Sequence, residues 1–271
     1  LMRHYGMTPT RNNLGVAQHA LKRFDEALTS YERAIGVRPG YARALYNRGV
    51  TLHELNRLDE ALTSYDRAIA ARSDYAEAHD NLGDTLLRLE RYAEAEASFR
   101  QATALAPDSA DFHADLGHVL FQQQRWEEAA AQFERALALR PDFHEALNSM
   151  GSALMEGGKP EAALAPIRQA IALRPDYAEA HDNLGNALMH LGREEESKAS
   201  FRHAIALQPD EANRHLRFAN ALVSQYAWDE ALAQCGRALA LKPGLGDAHY
   251  AIGMVRLFRQ EYDLAWEQYE R

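Results

Sequence analysis

The chain has 271 residues, 46 % of them apolar, with 30 Lys and Arg against 39 Asp and Glu and a formal net charge of −9. That balance argues against a general phosphate-binding surface, since nucleic-acid affinity rests on cations that neutralise phosphates and only Lys22, Lys159, Lys198 and Lys242 join the arginines. One cysteine, Cys235, excludes internal disulfides and fits a reducing, cytoplasmic setting; no apolar run approaches the length of a membrane span and no signal-peptide pattern is present.

Residues 1–7 read as a leader, the remnant of an upstream repeat or a tag. From there a 34-residue period governs the chain: Gly15, Gly49, Gly83, Gly117, Gly151, Gly185, Ala219 in the same phase, and Gly253, with Ala34, Ala68, Ala102, Ala136, Ala170, Ala204 and Ala238 at the same step. Such a period describes a stack of small units, each touching its neighbours, rather than one globular core. The units start at residues 8, 42, 76, 110, 144, 178 and 212, with a partial eighth at 246, so one array over 8–271 is expected.

Each unit predicts two helices. In the third, Leu82, Leu86 and Leu89 keep one helical face; Glu90-Arg91 break it. Tyr92, Ala95, Phe99, Ala102 and Leu105 then form a second face that Pro107 ends. Gly83 and Ala95 let the paired helices approach closely, and Phe99 fills the space they leave. Acids near the start of the second helix, such as Asp25-Glu26, Asp59-Glu60 and Glu94, suit the positive end of the helix dipole. Going along the chain, the pattern departs at Arg48 for Leu, Ser73 for Pro, Ser197 for Ala, Ala219 for Gly and Cys235 for an aromatic residue. Pro160 falls at a helix start, where proline is tolerated.

These units resemble the tetratricopeptide repeat, whose marker positions 4, 7, 8, 11, 20, 24, 27 and 32 fall in the third unit on His79, Leu82, Gly83, Leu86, Ala95, Phe99, Ala102 and Pro107. The resemblance implies an all-α, right-handed superhelix (α-solenoid) of antiparallel helix pairs, acting as a non-catalytic protein-interaction module. Phrases such as AHDNLG at 78–83 and 180–185, and the closing EYDLAWEQYER, are similar to the arms of O-GlcNAc transferase and bacterial glycosyltransferases. The alternative they imply is a substrate-recruiting arm, with a catalytic domain beyond Arg271.

No enzyme, cofactor or metal is expected. His79, His113, His181, His215 and His249 recur in one phase, but most are a whole unit apart, too far for a shared ion at Zn–N distances of roughly 2 Å. Cys235 stands at an aromatic position and reads as a buried, inert thiol. No phosphate loop, zinc-type Cys cluster or Ser/His/Asp constellation stands out.

The resemblance places positions 2, 5, 6, 9, 12 and 13 on the concave face. Position 6 carries Asn13, Asn47, Asn81, Asp115 and Asn183, a row whose amides can hold an extended peptide backbone. Acids dominate units three to six, including Asp80, Asp84 and Asp182, and Arg88 is the one formal cation at the same positions. Position 12 adds Leu87, Phe121, Met155, Met189 and Val223. A wall of one sign favours a partner of the other, so the expected ligand is a protein or peptide segment bearing Lys or Arg. The chaperone-carboxylate clamp known in the family is disfavoured, because its lysine has no counterpart here. At the C-terminal end Ile252, Ala265, Trp266 and Tyr269 are expected to lie uncovered and to favour self-association.

Overall fold

The computed structural model describes residues 7–264, excluding the side chain of Met7. Described residues form helices and short turns, with no strand among them. Among the described residues fifteen complete helices follow one another: α1 Met7–Ala20, α2 Phe24–Val37, α3 Ala42–Glu54, α4 Leu58–Ala71, α5 Ala76–Arg88, α6 Tyr92–Leu105, α7 Ala110–Gln122, α8 Trp126–Leu139, α9 His144–Glu156, α10 Pro160–Leu173, α11 Ala178–His190, α12 Glu194–Leu207, α13 Ala212–Ser224, α14 Trp228–Leu241 and α15 Gly246–Phe258. They divide into two compact units, Leu1–Pro141 and Asp142–Arg271, and the boundary falls between the fourth and fifth repeats. Each unit stacks helix pairs, a first helix A and a second helix B.

Close approach explains the glycine period. A Cβ added to Gly49 would lie 2.6 Å from the Tyr65 ring, and one on Gly83 or Gly117 would lie 2.8 Å from Phe99 or Phe133. Any side chain would therefore push helix A off the ring that helix B inserts. Ala102 and Ala136, expected at tight contacts, are wholly buried. In the seventh repeat the pair changes together: Ala219 replaces the glycine and Cys235 the ring, and both are buried in one cluster.

The A–B turn is equally regular. Lys22, Asn56, Glu90, Gln124, Gly158, Gly192, Tyr226 and Gln260 all have φ between 57° and 75°, the left-handed region. The next residue closes a six-residue loop by donating its N–H five residues back, as in Arg57 to Leu52 (2.8 Å) and Arg125 to Leu120 (3.0 Å), which satisfies a carbonyl at the helix end. That same arginine then turns its side chain onto the first turn of helix B. Both nitrogens of the Arg57, Arg91 and Arg193 forks reach Glu60, Glu94 and Glu196 at 2.7–2.8 Å. The acids expected to serve the helix dipole are thus also partners of the turn, and hydrogen bonding to the arginine holds the carboxyls of Glu60, Glu94 and Glu196 below their usual range.

Ile252, expected at an uncovered end, packs instead into the core of the last repeats with Leu216, Ala248 and Cys235. Ala265, Trp266 and Tyr269 lie outside the described residues.

Candidate functional site: the face of the A helices

Neighbouring A helices are tied by their asparagines. In unit one, Asn47 donates to Asn12 Oδ1 at 2.9 Å and Asn81 to the Tyr46 hydroxyl at 3.1 Å. In unit two, Asn183 donates to Asn148 Oδ1 and Ser152 Oγ, both at 2.9 Å. A position-6 amide therefore bonds back to position 5 of the preceding repeat. These amides, expected from the sequence to hold a peptide backbone, donate instead to the preceding repeat and hold the repeats in register, and Asn183 is buried. The amide carbonyls of half-buried Asn47 and Asn81 carry no hydrogen bond among the described residues. Asn13 is exposed and accepts from Asn12 at 3.4 Å.

The acids divide into compensated and uncompensated groups. Asp84 meets His53 at 3.2 Å, Asp111 meets Arg140 at 2.5 Å, and Glu77 lies 4.0 Å from Arg72. Asp182 is buried against Arg214. The arginines reach over from other positions, which is why an inventory restricted to one face overcounted the free negative charge; burial lowers the His53 imidazole, so it adds no fixed cation beside Asp84. Asp80 and Asp115 form no ion pair among the described residues. Burial, then the charges of Asp115, Asp84, Asp111 and Glu77, push Asp80 up to about 8. Burial, then Asp84 and Asp111, push Asp115 up to about 7. Oδ1 of Asp80 is buried with no hydrogen-bond partner. Burial likewise raises Asp182 to about 6, opposed by Arg214 and Arg217.

Position 12 is more varied than an apolar row. The half-buried Phe121 ring stands edge-on to Trp126 at 4.8 Å, Met155 is half-buried, and Met189 and Val223 pack beside Phe201, Phe218 and Leu222. In the first two repeats the position holds His19 and His53. His53 Nδ1 lies 2.8 Å from Thr85 Oγ1 and Nε2 lies 3.2 Å from Asp84; His19 makes the same contacts with Thr51 (2.9 Å) and Glu54 (3.2 Å). A hydroxyl, an imidazole and a carboxylate in that order are the parts of a nucleophilic relay. Thr51 and Thr85 are, however, 0 % exposed, so no substrate reaches either hydroxyl, and the arrangement acts as a polar seam between repeats. A sequence signal existed: histidine at position 12 is followed one repeat later by threonine at position 10.

The recurrent position-4 histidines hold the helix ends. Nε2 of His113, His181, His215 and His249 lies 3.0–3.2 Å from the carbonyl of Pro107, Pro175, Pro209 and Pro243, and His79 faces Ser73 at 3.3 Å. No group of three metal-ligating side chains occurs among the described residues. Cys235 is buried, and burial raises its thiol to about 11, far from the thiolate a nucleophile needs.

Tetratricopeptide-repeat family profiles match residues 12–76, 81–143 and 178–211, and a TPR-repeat profile matches 151–192. The chain belongs to the tetratricopeptide repeat family. No curated protein sequence matches this TPR chain. Among solved structures it is similar to YrrB, described as a TPR protein with an unusual peptide-binding site, with 27 % identity and a TM-score of 0.61 over 70 % of this chain and 96 % of that one. A tetratricopeptide repeat protein from Parabacteroides merdae matches at 14 % identity and TM-score 0.72, over 92 % of this chain and 98 % of that one. PilF of Pseudomonas aeruginosa matches at 18 % and 0.69, over 82 % and 99 %. The last two establish the TPR fold alone. These similarities lend no support to the expected likeness to glycosyltransferase arms. No described helix is long and apolar enough to cross a membrane.

Proposed function

We propose that this TPR array is a non-catalytic adaptor whose A-helix face in repeats three and four holds an extended partner segment through a Lys or Arg side chain. The observation that carries the reading is the pair Asp80 and Asp115, two half-buried carboxylates without a cation, beside Asp84. Held near 8 and 7, they are partly protonated at neutral pH. A bound ammonium or guanidinium favours their ionised forms, so binding releases protons and strengthens as pH rises through that window. The carbonyls of Asn47 and Asn81 supply acceptors for the segment's backbone N–H groups. YrrB, whose description names a peptide-binding site, supports a peptide as the ligand class.

The test uses labelled decapeptides alternating Ser with Lys or Ser with Glu, and fluorescence anisotropy. The Lys peptide binds, more tightly at pH 8 than at pH 6 and less tightly as salt rises, since exposed charges are screened within about 8–10 Å at 0.1–0.15 M. Asp80→Asn with Asp115→Asn weakens it at least tenfold. Equal binding of the Glu peptide, or an unchanged double variant, overturns the reading. The glycosyltransferase-arm alternative rests on sequence phrases alone, and the coding sequence after Arg271 tests it.

A further inference from the structure

In unit two the sixth and seventh repeats part around a cleft of about 310 Å³, lined by Glu179, Asp182, Gln208, Glu211, Arg214 and Arg217 among others. Its origin lies in the sequence. Position 3 of the repeat is a small packing residue in most units, Ala44, Ala78, Ala146, Ala180 and Ala248, and in the seventh repeat it is Arg214. A guanidinium cannot lie against the neighbouring helix as a methyl does. It points across the gap instead, where Nη1 meets Asp182 Oδ2 and both Nε (3.3 Å) and Nη2 (2.8 Å) reach Gln208 Oε1. Three nitrogens are thereby fixed, so this arginine is held in place before any ligand arrives.

Two groups at the cleft are left over. Asp182 is 2 % exposed, yet its Oδ1 has no hydrogen-bond partner. A buried carboxylate oxygen without a donor costs free energy that a ligand N–H or O–H would return. Arg217, exposed at position 6 where four of the six earlier repeats carry asparagine, has no hydrogen-bond or ion-pair partner among the described residues. One unpartnered acceptor in the wall of the cleft and one free donor at its mouth thus belong to the same site, and contact with Oδ1 requires the Asp182 carboxyl to turn toward the opening.

The balance of charge narrows the ligand class. Glu179, Asp182 and Glu211 oppose a second anion, and Arg214 and Arg217 oppose a second cation. A neutral group that is donor and acceptor at once meets neither penalty. A primary amide is such a group, since its carbonyl suits a guanidinium and its NH₂ suits a carboxylate. We propose that the cleft between the sixth and seventh repeats is an amide-recognition pocket that receives an Asn or Gln side chain, carbonyl to Arg217 and NH₂ to Asp182 Oδ1. The inference shares with the proposed function only the premise that partner segments bind this protein. It concerns other repeats and another chemistry, so either can fail alone.

The test is backbone amide NMR of the ¹⁵N-labelled full chain, titrated with N-acetyl-glutamine methylamide and separately with the glutamate and lysine analogues. The glutamine probe shifts amides in 179–183 and 211–217, saturating in the millimolar range, while the two charged probes bind there at least fivefold more weakly. Arg217→Ala removes an exposed side chain, leaves the circular dichroism spectrum unchanged and weakens the glutamine probe at least fivefold. A second variant, Arg214→Ala with Asp182→Ala, restores the small residue at position 3 and abolishes the shifts. The proposal is overturned if no probe shifts these amides, if a charged probe binds them as tightly, or if Arg217→Ala binds as the parent does.

Discussion

Gly83 and Phe99 form one fitted pair, repeated down the chain, and Ala219 with Cys235 is the variant that shows the fit is mutual. Read singly, each substitution weakens the pattern; together they exchange volume, since an added methyl on helix A faces a smaller side chain on helix B. Cys235→Phe should therefore overpack against Ala219 and cost on the order of 1–3 kcal/mol. Adding Ala219→Gly should recover most of that loss, a coupling that chemical denaturation of the two singles and the double would measure. Asp80 gives a second prediction. Its carboxyl is raised to about 8 in the folded chain from the usual 3.8, so its contribution is fully present below pH 4 and is lost as pH rises through 8. Asp80→Asn should raise stability at pH 8 by on the order of 1–3 kcal/mol and change it little near pH 3.5, where both states of the parent are protonated; equal effects at both pH values would contradict the burial argument. Of these features the glycine period was legible at once, because only a tight contact repeats a residue without a side chain. The protonation of Asp80 was not, because it depends on what lies beyond the helix face that spacing reveals.

At the scale of the helix pair, spacing placed the helices and prolines their ends, but the A–B turn was opaque. Its left-handed residue is Lys22, Asn56, Glu90, Gln124 or Tyr226 as readily as glycine, so no residue type announces it. The conformation is imposed by the six-residue closure and the packing of the pair. Glu90→Gly should relieve that strain and stabilise the array by about 0.5–1 kcal/mol, read as a rise in thermal midpoint. Pro166 is a second unannounced feature: it is buried inside the continuous helix α10, where other repeats carry Ser30, Ser64 or Ser98. The proline removes one hydrogen bond of the helix. Pro166→Ser should restore it and stabilise the protein by up to about 2–3 kcal/mol. A destabilised variant would mean that the ring's packing outweighs the lost bond.

Over the whole molecule, the tandem architecture was readable and the site only partly so. Phase assigns a residue to a face, and that assignment found Asp80, Asp115 and the asparagines. It could not show that Arg214 swings across a repeat boundary to neutralise Asp182, or that Arg140 reaches back from the end of its own repeat to Asp111, because long side chains leave the face that spacing assigns them. Nor could it show that the asparagine amides are already committed to the neighbouring repeat.

The histidine seam bears on how such a chain can change length over evolutionary time. The second repeat carries both halves of the seam, offering His53 forward and Thr51 with Glu54 backward. A tandem copy of residues 42–75 would set His53 against a second Thr51 and Glu54, the same contacts that His19 already makes. A copy of residues 76–109 would instead bring Leu87 against Thr85 and Asp84, burying a hydroxyl with no imidazole beside it. Equal length therefore does not make these units interchangeable. Gene duplication can extend the array through its second repeat, whereas the third, copied in place, would enter it as a fault.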